Sequence, residues 1–435
     1  MNMSAPNPVA PRLQIAAERL YPLYPPPVSL RDDVRMHVDA AVDGQAVVYY
    51  LGEQRFAIGR RNTDWLMAGH DIEVRAFVYG MPFIDHLTAA FHVTRDERYA
   101  EAARDFLVEF MHAFPPANVG QNHDIDSTLT VAGRNAVWAR CIHLLASSEA
   151  FDDALLSRMI DYMTVQLDFL QQHIKPVINW RISEARAILM GGLYLSSVPR
   201  ADEWKRFGVR VLNDAWHRQF LPDGVHSERT PTYHLHMADT FRDLYRLGRL
   251  LPELGLTMSI DGLAPMYDFA LACTKPNGYL CGIHDSQSEF TGRLGDGRYT
   301  AGHKAIDGAK SREAFRKEFG LPAELPPTTQ IYPHAAFAFM RSAWDEDAAW
   351  LSFDATNWGS GHCHLSRNAV QLHAHRQSMV IDPGWLDYTN TKWGLYGRST
   401  RAHATCNLDG LNQSSTDPRT FKHFGTPGYD AVLGV

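Results

Sequence analysis

The hydrophobic period of this chain changes once along its 435 residues, and that change decides what it can fold into. Glu97 to Phe114 sets Tyr99, Ala102, Phe106, Leu107, Phe110 and Met111 three and four residues apart, the spacing of a helix with one buried face. Leu155 to Phe169 repeats the pattern with Met159, Ile160, Met163 and Leu167. Ile188 to Leu195, Val209 to Phe220, Phe241 to Leu251 and Met266 to Cys273 continue it. Turns such as Leu221-Pro222-Asp223-Gly224 and Lys275-Pro276-Asn277-Gly278 separate the helices. Leu321 to Thr329 then carries three prolines, which remove backbone donors and stop regular structure. Beyond it the period is two, with short strands expected at Ala335 to Met340, Ala349 to Phe353, Ala369 to Ala374, Ser378 to Ile381 and Ala404 to Leu408.

Many antiparallel helices without intervening strands predict a helical bundle or an α/α toroid, followed by an antiparallel β domain. The expected division is an irregular lead-in at 1–40, helices at 41–325 and the start of a β-sandwich at 326–435. Tyr24-Pro25-Pro26-Pro27 is the reason for reading the lead-in as irregular. A closed sandwich needs more strands than these, so the sheet domain is expected to be incomplete.

The net charge of −7 argues against a nucleic-acid partner and leaves room for a local basic cleft that binds an acidic sugar. No apolar run is long enough for a membrane span. Five cysteines, none in CxxC spacing, favour free thiols. Met1 to Leu30 lacks the charged start and unbroken apolar core of a signal peptide, so the chain as written reads as cytoplasmic. Oligomeric state is left open.

Four stretches could carry chemistry. Asn179-Trp180-Arg181 opens a helix after Pro176, where Asn serves either as an N-cap or as a site group. Asp223 to His234 is a long polar connection holding His226, Glu228, Arg229, Tyr233 and His234. It reads either as a site mouth or as a loop whose tyrosine packs on a neighbouring helix. Gly361-His362-Cys363-His364, with Asp382 and His403, supplies zinc-ligand side chains. On a strand, His362 and His364 would face the same side. Tyr388, Trp393, Tyr396, Arg398 and Arg401 combine stacking rings with guanidinium groups, which suits an acidic sugar or a solvated loop. The histidine-aspartate set alone also fits a cupin-like metal centre.

Together these stretches resemble the heparinase II/III family of polysaccharide lyases, which includes the oligoalginate lyases. The most specific part is Gly-His-x-His, then Asp382-Pro383-Gly384, then Arg398-Ser399-Thr400-x-x-His403. The resemblance covers most of the chain and implies an N-terminal α/α toroid, a C-terminal antiparallel β-sandwich and an active cleft between them. It implies Asn179 as the group that neutralises a uronate carboxylate, Tyr233 as the catalytic tyrosine and His362 as a histidine of the same site. Tyr396 becomes the candidate second tyrosine, and Trp180, Glu228, His234 and Arg398 become substrate-binding candidates. It also implies a zinc, structural rather than catalytic, on His364, Asp382 and His403. Two features depart from the family. Leu365, Ser366 and Arg367 follow Gly-His-x-His where an aspartate is common, and such lyases are commonly periplasmic or secreted.

The residue types suit β-elimination of a uronate glycoside. The C5 proton is weakly acidic beside a charged carboxylate, so the carboxylate must be neutralised, a base must reach C5 and an acid must reach O4. Tyrosine can fill either proton role if a cation lowers its pKa from about 10, and His234, Arg229 and His362 are the candidate cations. The expected substrate is a heparan-sulfate-like glycosaminoglycan first and alginate second. The competing readings are a non-catalytic polysaccharide-handling protein of a capsule or exopolysaccharide pathway, and a zinc-dependent hydrolase.

Overall fold

The computed structural model describes residues 9–30, 32–48, 54–65, 72–122, 125–287, 307–356, 361–386, 388, 391–414, 421–426 and 429–434. The described chain begins with α1 (Val9–Glu18), α2 (Asp32–Val42) and a hairpin of β1 (Gln45–Val48) and β2 (Gln54–Ala57). The helices α3 (Ile72–Gly80), α4 (Phe83–Thr94), α5 (Glu97–Ala113), α6 (Thr128–Leu145), α7 (Asp153–His173), α8 (Ile178–Tyr194), α9 (Ala201–Arg218), α10 (Pro231–Leu250), α11 (Ile260–Ala272) and α12 (Gly308–Glu318) follow. An antiparallel sheet comes next, as the change of period requires. It contains β3 (Thr329–Tyr332), β4 (Phe337–Arg341), β5 (Trp350–Asp354), β6 (Ala369–Ala374) and β7 (Gln377–Val380), paired in sequence order. A short α13 (Lys392–Gly397) precedes a separate ladder of β8 (Phe421–Thr426) and β9 (Tyr429–Gly434).

The backbone divides into two compact units, one holding 1–49, 53–215 and 246–256, the other 50–52, 216–245 and 257–435. In the first unit α6 packs against α3, α4, α7 and α8. Its Trp138 is fully buried with Tyr162 of α7 and Phe110 of α5, the ring centroids lying 5.6–6.2 Å apart. Burying rings of this size stabilises by about 2–3 kcal/mol each. Side-chain oxygens cap α5, α6 and α7: Asp96 accepts from Arg98 N, Ser127 from Thr130 N and Asp152 from Leu155 N. The entry to α8 is different. Val177 is its N-cap without a side-chain bond, and Ile178 holds φ +71°, a costly value for a β-branched residue.

In the second unit, Phe269 of α11 meets Tyr332, Phe337 and Phe339 of the sheet at 4.9–5.8 Å between ring centroids. Trp350 of β5 donates its indole N–H to Ala272 O at 3.0 Å, so the helix and the sheet share one core.

The structure corrects three expectations. The lead-in folds as α1 and α2 on either side of the proline run, because Leu13, Ala16, Ala17, Val38 and Ala41 find burial there. Thr329, placed at the end of the linker, begins β3. Ala404 to Leu408 forms no strand: beyond Ala404 O accepting from Val370 N, its backbone bonds are local turns, Thr405 N to His403 O and Leu411 N to Leu408 O, joined by polar side chains. Gln413 Nε2 donates to the carbonyls of Arg367 and Cys406, and Asp409 and Gly410 turn the chain at positive φ.

Candidate active site

The second unit gathers most of the predicted site residues around one buried loop, Cys281 to Gln287. The loop leaves α11 by a tight turn, with Thr274 and Leu280 bridged across it. His284 sits at φ +57°. Its Nδ1 accepts from His364 N at 3.2 Å, so the ring proton is on Nε2, which faces Thr356 Oγ1 at 3.0 Å. Complete burial, with neighbouring His364 adding to it, pushes this imidazole down to about 3, so it stays neutral. Asp285 N donates to His362 O at 3.1 Å. Ser286 Oγ accepts from Thr232 N at 2.9 Å, and Ser286 O accepts from Trp385 N at 3.0 Å. The loop therefore ties together the start of α10, the Gly-His-x-His segment and the Asp-Pro-Gly turn.

Asp285 lies between the two histidines of Gly-His-x-His. Its Oδ2 is 2.9 Å from His362 Nδ1 and its Oδ1 is 2.8 Å from His364 Nε2. Burial opposes ionisation of this carboxyl, but the hydrogen bonds from His362 and His364 outweigh it and leave its pKa below the usual value. The two histidines are not on a strand as expected. Residues 361–368 are turns and coil, and the pair is set side by side by the shared carboxylate rather than by a pleat.

Tyr233 stands in the first turn of α10. Its ring stacks on His362 with centroids 4.1 Å apart and planes 22° from parallel. Its Oη shares a hydrogen bond with Tyr388 Oη at 2.6 Å, and Tyr388 Oη lies 3.4 Å from His362 Nδ1. Glu228 is buried, with carboxylate oxygens 3.6 Å from His226 Nδ1 and 3.9 Å from His362 Nε2. Tyr233, His362 and Glu228 are thus brought together as the sequence suggested, with Tyr388 added.

Tyr388, not Tyr396, is the tyrosine whose hydroxyl meets that of Tyr233. Tyr396 lies on α13, with its Oη 3.4 Å from Arg401 O and its ring edge-on to Trp393. The loop between Asp382 and His403 contains both, and sequence spacing does not fix which one turns inward. His234 is corrected as well. It is fully buried, Nδ1 accepts from His226 N at 3.0 Å and Nε2 donates to Met266 O at 2.8 Å. Burial holds it at about 4, so it is a neutral brace rather than a substrate contact or a cation beside Tyr233. Arg398 also braces: its Nε meets Gly394 O at 3.2 Å and its carbonyl accepts from Leu365 N at 3.1 Å. Asn179 and Trp180 lie in the first turn of α8, in the helical unit. Asn179 is buried one residue after the strained Ile178 rather than capping the helix. Trp180 has the Lys175 ammonium 5.5 Å from its ring centroid.

His364, Asp382 and His403 are all buried and offer ligand atoms within 4.8 Å of one another. His364 gives Nε2 to Asp285, and its buried Nδ1 has no hydrogen-bond partner. His403 gives Nδ1 to Asp382 Oδ2 at 2.7 Å, and its buried Nε2 has none either. Buried ring nitrogens without partners are costly unless a ligand completes them, and on His364 the carboxylate of Asp285, outside the triad, sits on the opposite nitrogen as the usual outer support of a zinc-binding histidine. The donor set therefore fits zinc. Asp382 lies just past the end of β7, and His403 follows a single 3-10 turn, so neither sits within a strand.

Asp285 and His284 were not singled out as site residues in the sequence, and Tyr388 was named only as one ring of the aromatic and arginine-bearing stretch. The available signal was the dipeptide His284-Asp285 directly after the apolar run Tyr279-Leu280-Cys281-Gly282-Ile283, a polar pair at the end of a buried segment.

Comparison with known proteins agrees with this fold. Residues 28–295 match the family description Heparinase II/III N-terminus, and residues 326–428 match Heparinase II/III-like, C-terminal. A heparin-sulfate lyase of Pedobacter heparinus is 24% identical over 382 residues, covering 83% of this chain and 56% of its own. The chain thus spans little more than half the length of that relative. The crystal structure of heparan sulfate lyase HepC from Pedobacter heparinus superposes with a TM-score of 0.64 at 20% identity, covering 97% of this chain and 69% of that one. A crystal structure of heparinase III gives a TM-score of 0.77 at 15% identity, covering 98% and 73%. The first family match alone takes in more than half of the sequence, and the chain belongs to the heparinase II/III family.

Proposed function

We propose that this protein is a polysaccharide lyase that breaks uronate glycosidic bonds by β-elimination, with heparan-sulfate-like glycosaminoglycans as the first substrate class and alginate as the second. The observation that carries this reading is the Tyr233–Tyr388 pair, two phenolic oxygens 2.6 Å apart beside the ring of His362. With one of the two phenols ionised, the phenolate oxygen can accept the proton from C5 while the phenol donates its own to O4, and a proton passing back across the 2.6 Å hydrogen bond restores the starting pair. Protonated on both ring nitrogens, His362 keeps Nδ1–H on Asp285 and can donate from Nε2 to the carboxylate or to the enolate that develops from it, an interaction that strengthens as charge builds. Asp285 holds the proton of His362 on Nδ1, and Glu228 limits the room on the other side of the ring.

Zinc on His364, Asp382 and His403 would supply a cross-link between three loops, and the proton transfers are left to the tyrosines and His362. The relatives named as heparin- and heparan-sulfate lyases support the choice of substrate class. The test is a panel of uronate polymers incubated with the purified protein. The expected product has an unsaturated, ultraviolet-absorbing end, whereas products with two saturated ends would overturn the reading in favour of a hydrolase.

A further inference from the structure

We propose that Asp285 is a positioning residue that couples the metal-ligand histidine His364 to the substrate-facing histidine His362. The half concerning His362 in catalysis rests on the lyase reading above, and the half concerning metal affinity does not.

The geometry is specific. One carboxylate has two oxygens, and each is committed to a different imidazole, at 2.9 and 2.8 Å. Accepting from both rings fixes both tautomers at once. His362 must carry its proton on Nδ1, and His364 must carry its proton on Nε2 and present the lone pair of Nδ1. That Nδ1 is the buried nitrogen without a partner. The carboxylate itself cannot drift. Its backbone N–H is bonded to His362 O, the preceding His284 accepts from His364 N, and the following Ser286 is bonded to Thr232 N and Trp385 N. Asp285 is only 5% exposed. Movement of His364 towards or away from a metal would therefore change the hydrogen bond that orients His362, whose ring supports Tyr233 by stacking. A carboxylate serving the metal ligand alone would leave its second oxygen to water or to a backbone donor.

The test uses Asp285→Asn in the full chain. The amide can accept from one ring but offers an N–H towards the other, so both functions cannot survive together. Zinc affinity, measured by competition with a chromophoric chelator, is expected to fall roughly 10–100-fold, the usual cost of losing an outer-shell support. The nitrogen-15 spectrum of the histidine rings, assigned with His362→Ala and His364→Ala, is expected to show His362 losing its fixed Nδ1-protonated form. If Asp285→Asn does not fold, the wild-type protein still decides the matter: stripping zinc should shift the His362 ring signals.

Unchanged zinc affinity with unchanged His362 signals in the variant overturns the coupling. So does a wild-type His362 signal indifferent to zinc, or a wild-type protein that binds no zinc. Neither readout needs turnover. Changed affinity and spectra without activity on any uronate polymer would sink the lyase reading and leave the coupling standing. Activity together with unmoved spectra would do the reverse.

Discussion

Tyr233 and Tyr388 are 155 residues apart in sequence, and their phenolic oxygens are 2.6 Å apart in the structure. The hydrogen bond joins a residue fixed on the rigid first turn of a long helix to one carried on a loop. The first prediction follows from this pair. Tyr233→Phe and Tyr388→Phe should each lower kcat by about 10²–10⁴-fold, the usual value of a positioned acid or base. Tyr396→Phe should stay near wild type. Initial rates of ultraviolet absorbance on heparan sulfate check this, and loss of activity in Tyr396→Phe alone would reverse the assignment.

Metal dependence gives the second. His403→Ala should carry far less zinc than the wild type by elemental analysis. A chelator should lower the unfolding temperature of the wild type and leave that of the variant unmoved. Zinc at a hundredfold excess over Kd stabilises by about 2.7 kcal/mol, which is readily seen in a melting curve.

Acid sensitivity gives the third. Burial holds His226 at about 3 and His234 at about 4, against 6.5 when exposed. Between those limits the unfolded chain binds protons that the folded chain refuses, so stability falls as pH falls from 6.5. The loss is about 2 kcal/mol per ring by about pH 5. Urea midpoints measured across this range should decline steadily, and a flat profile would contradict the buried neutral state of both rings.

A fourth concerns Gly384. It holds φ +62°, and a Cβ there would press on Ser286 O. Gly384→Ala should destabilise by more than about 1 kcal/mol. It should also weaken zinc binding, because Gly384 N donates to Asp382 Oδ1 at 3.1 Å. Chemical denaturation and chelator competition on the same sample measure both effects.

The helical half was legible because its signal is local. Glu97 to Phe114 matches α5 almost to the residue, and Ala369 to Ala374 matches β6. The cluster of His364, Asp382 and His403 was legible from its side-chain types and the family resemblance, and the structure brings the three side chains together. What sequence could not supply was the direction of side chains on loops. Tyr388 and Tyr396 are eight residues apart on one connection, and only the fold shows which meets Tyr233. His234 looked like a site residue because it neighbours Tyr233, yet helical geometry sends consecutive residues to different faces, one outward and one into the core. Asp285 was hidden because its partners are 77 and 79 residues away.

The loop from Cys281 to Gln287 also acts as a register key. His284, Asp285 and Ser286 are consecutive, and each grips a different segment of chain: His364 and Thr356, then the paired histidines, then the start of α10 and the Asp-Pro-Gly turn. A slip of one residue would put every grip out of place at once. A misthreaded chain could therefore not keep part of the site. The loop makes assembly of the tyrosine pair, the imidazole pair and the ligand triad an all-or-none event.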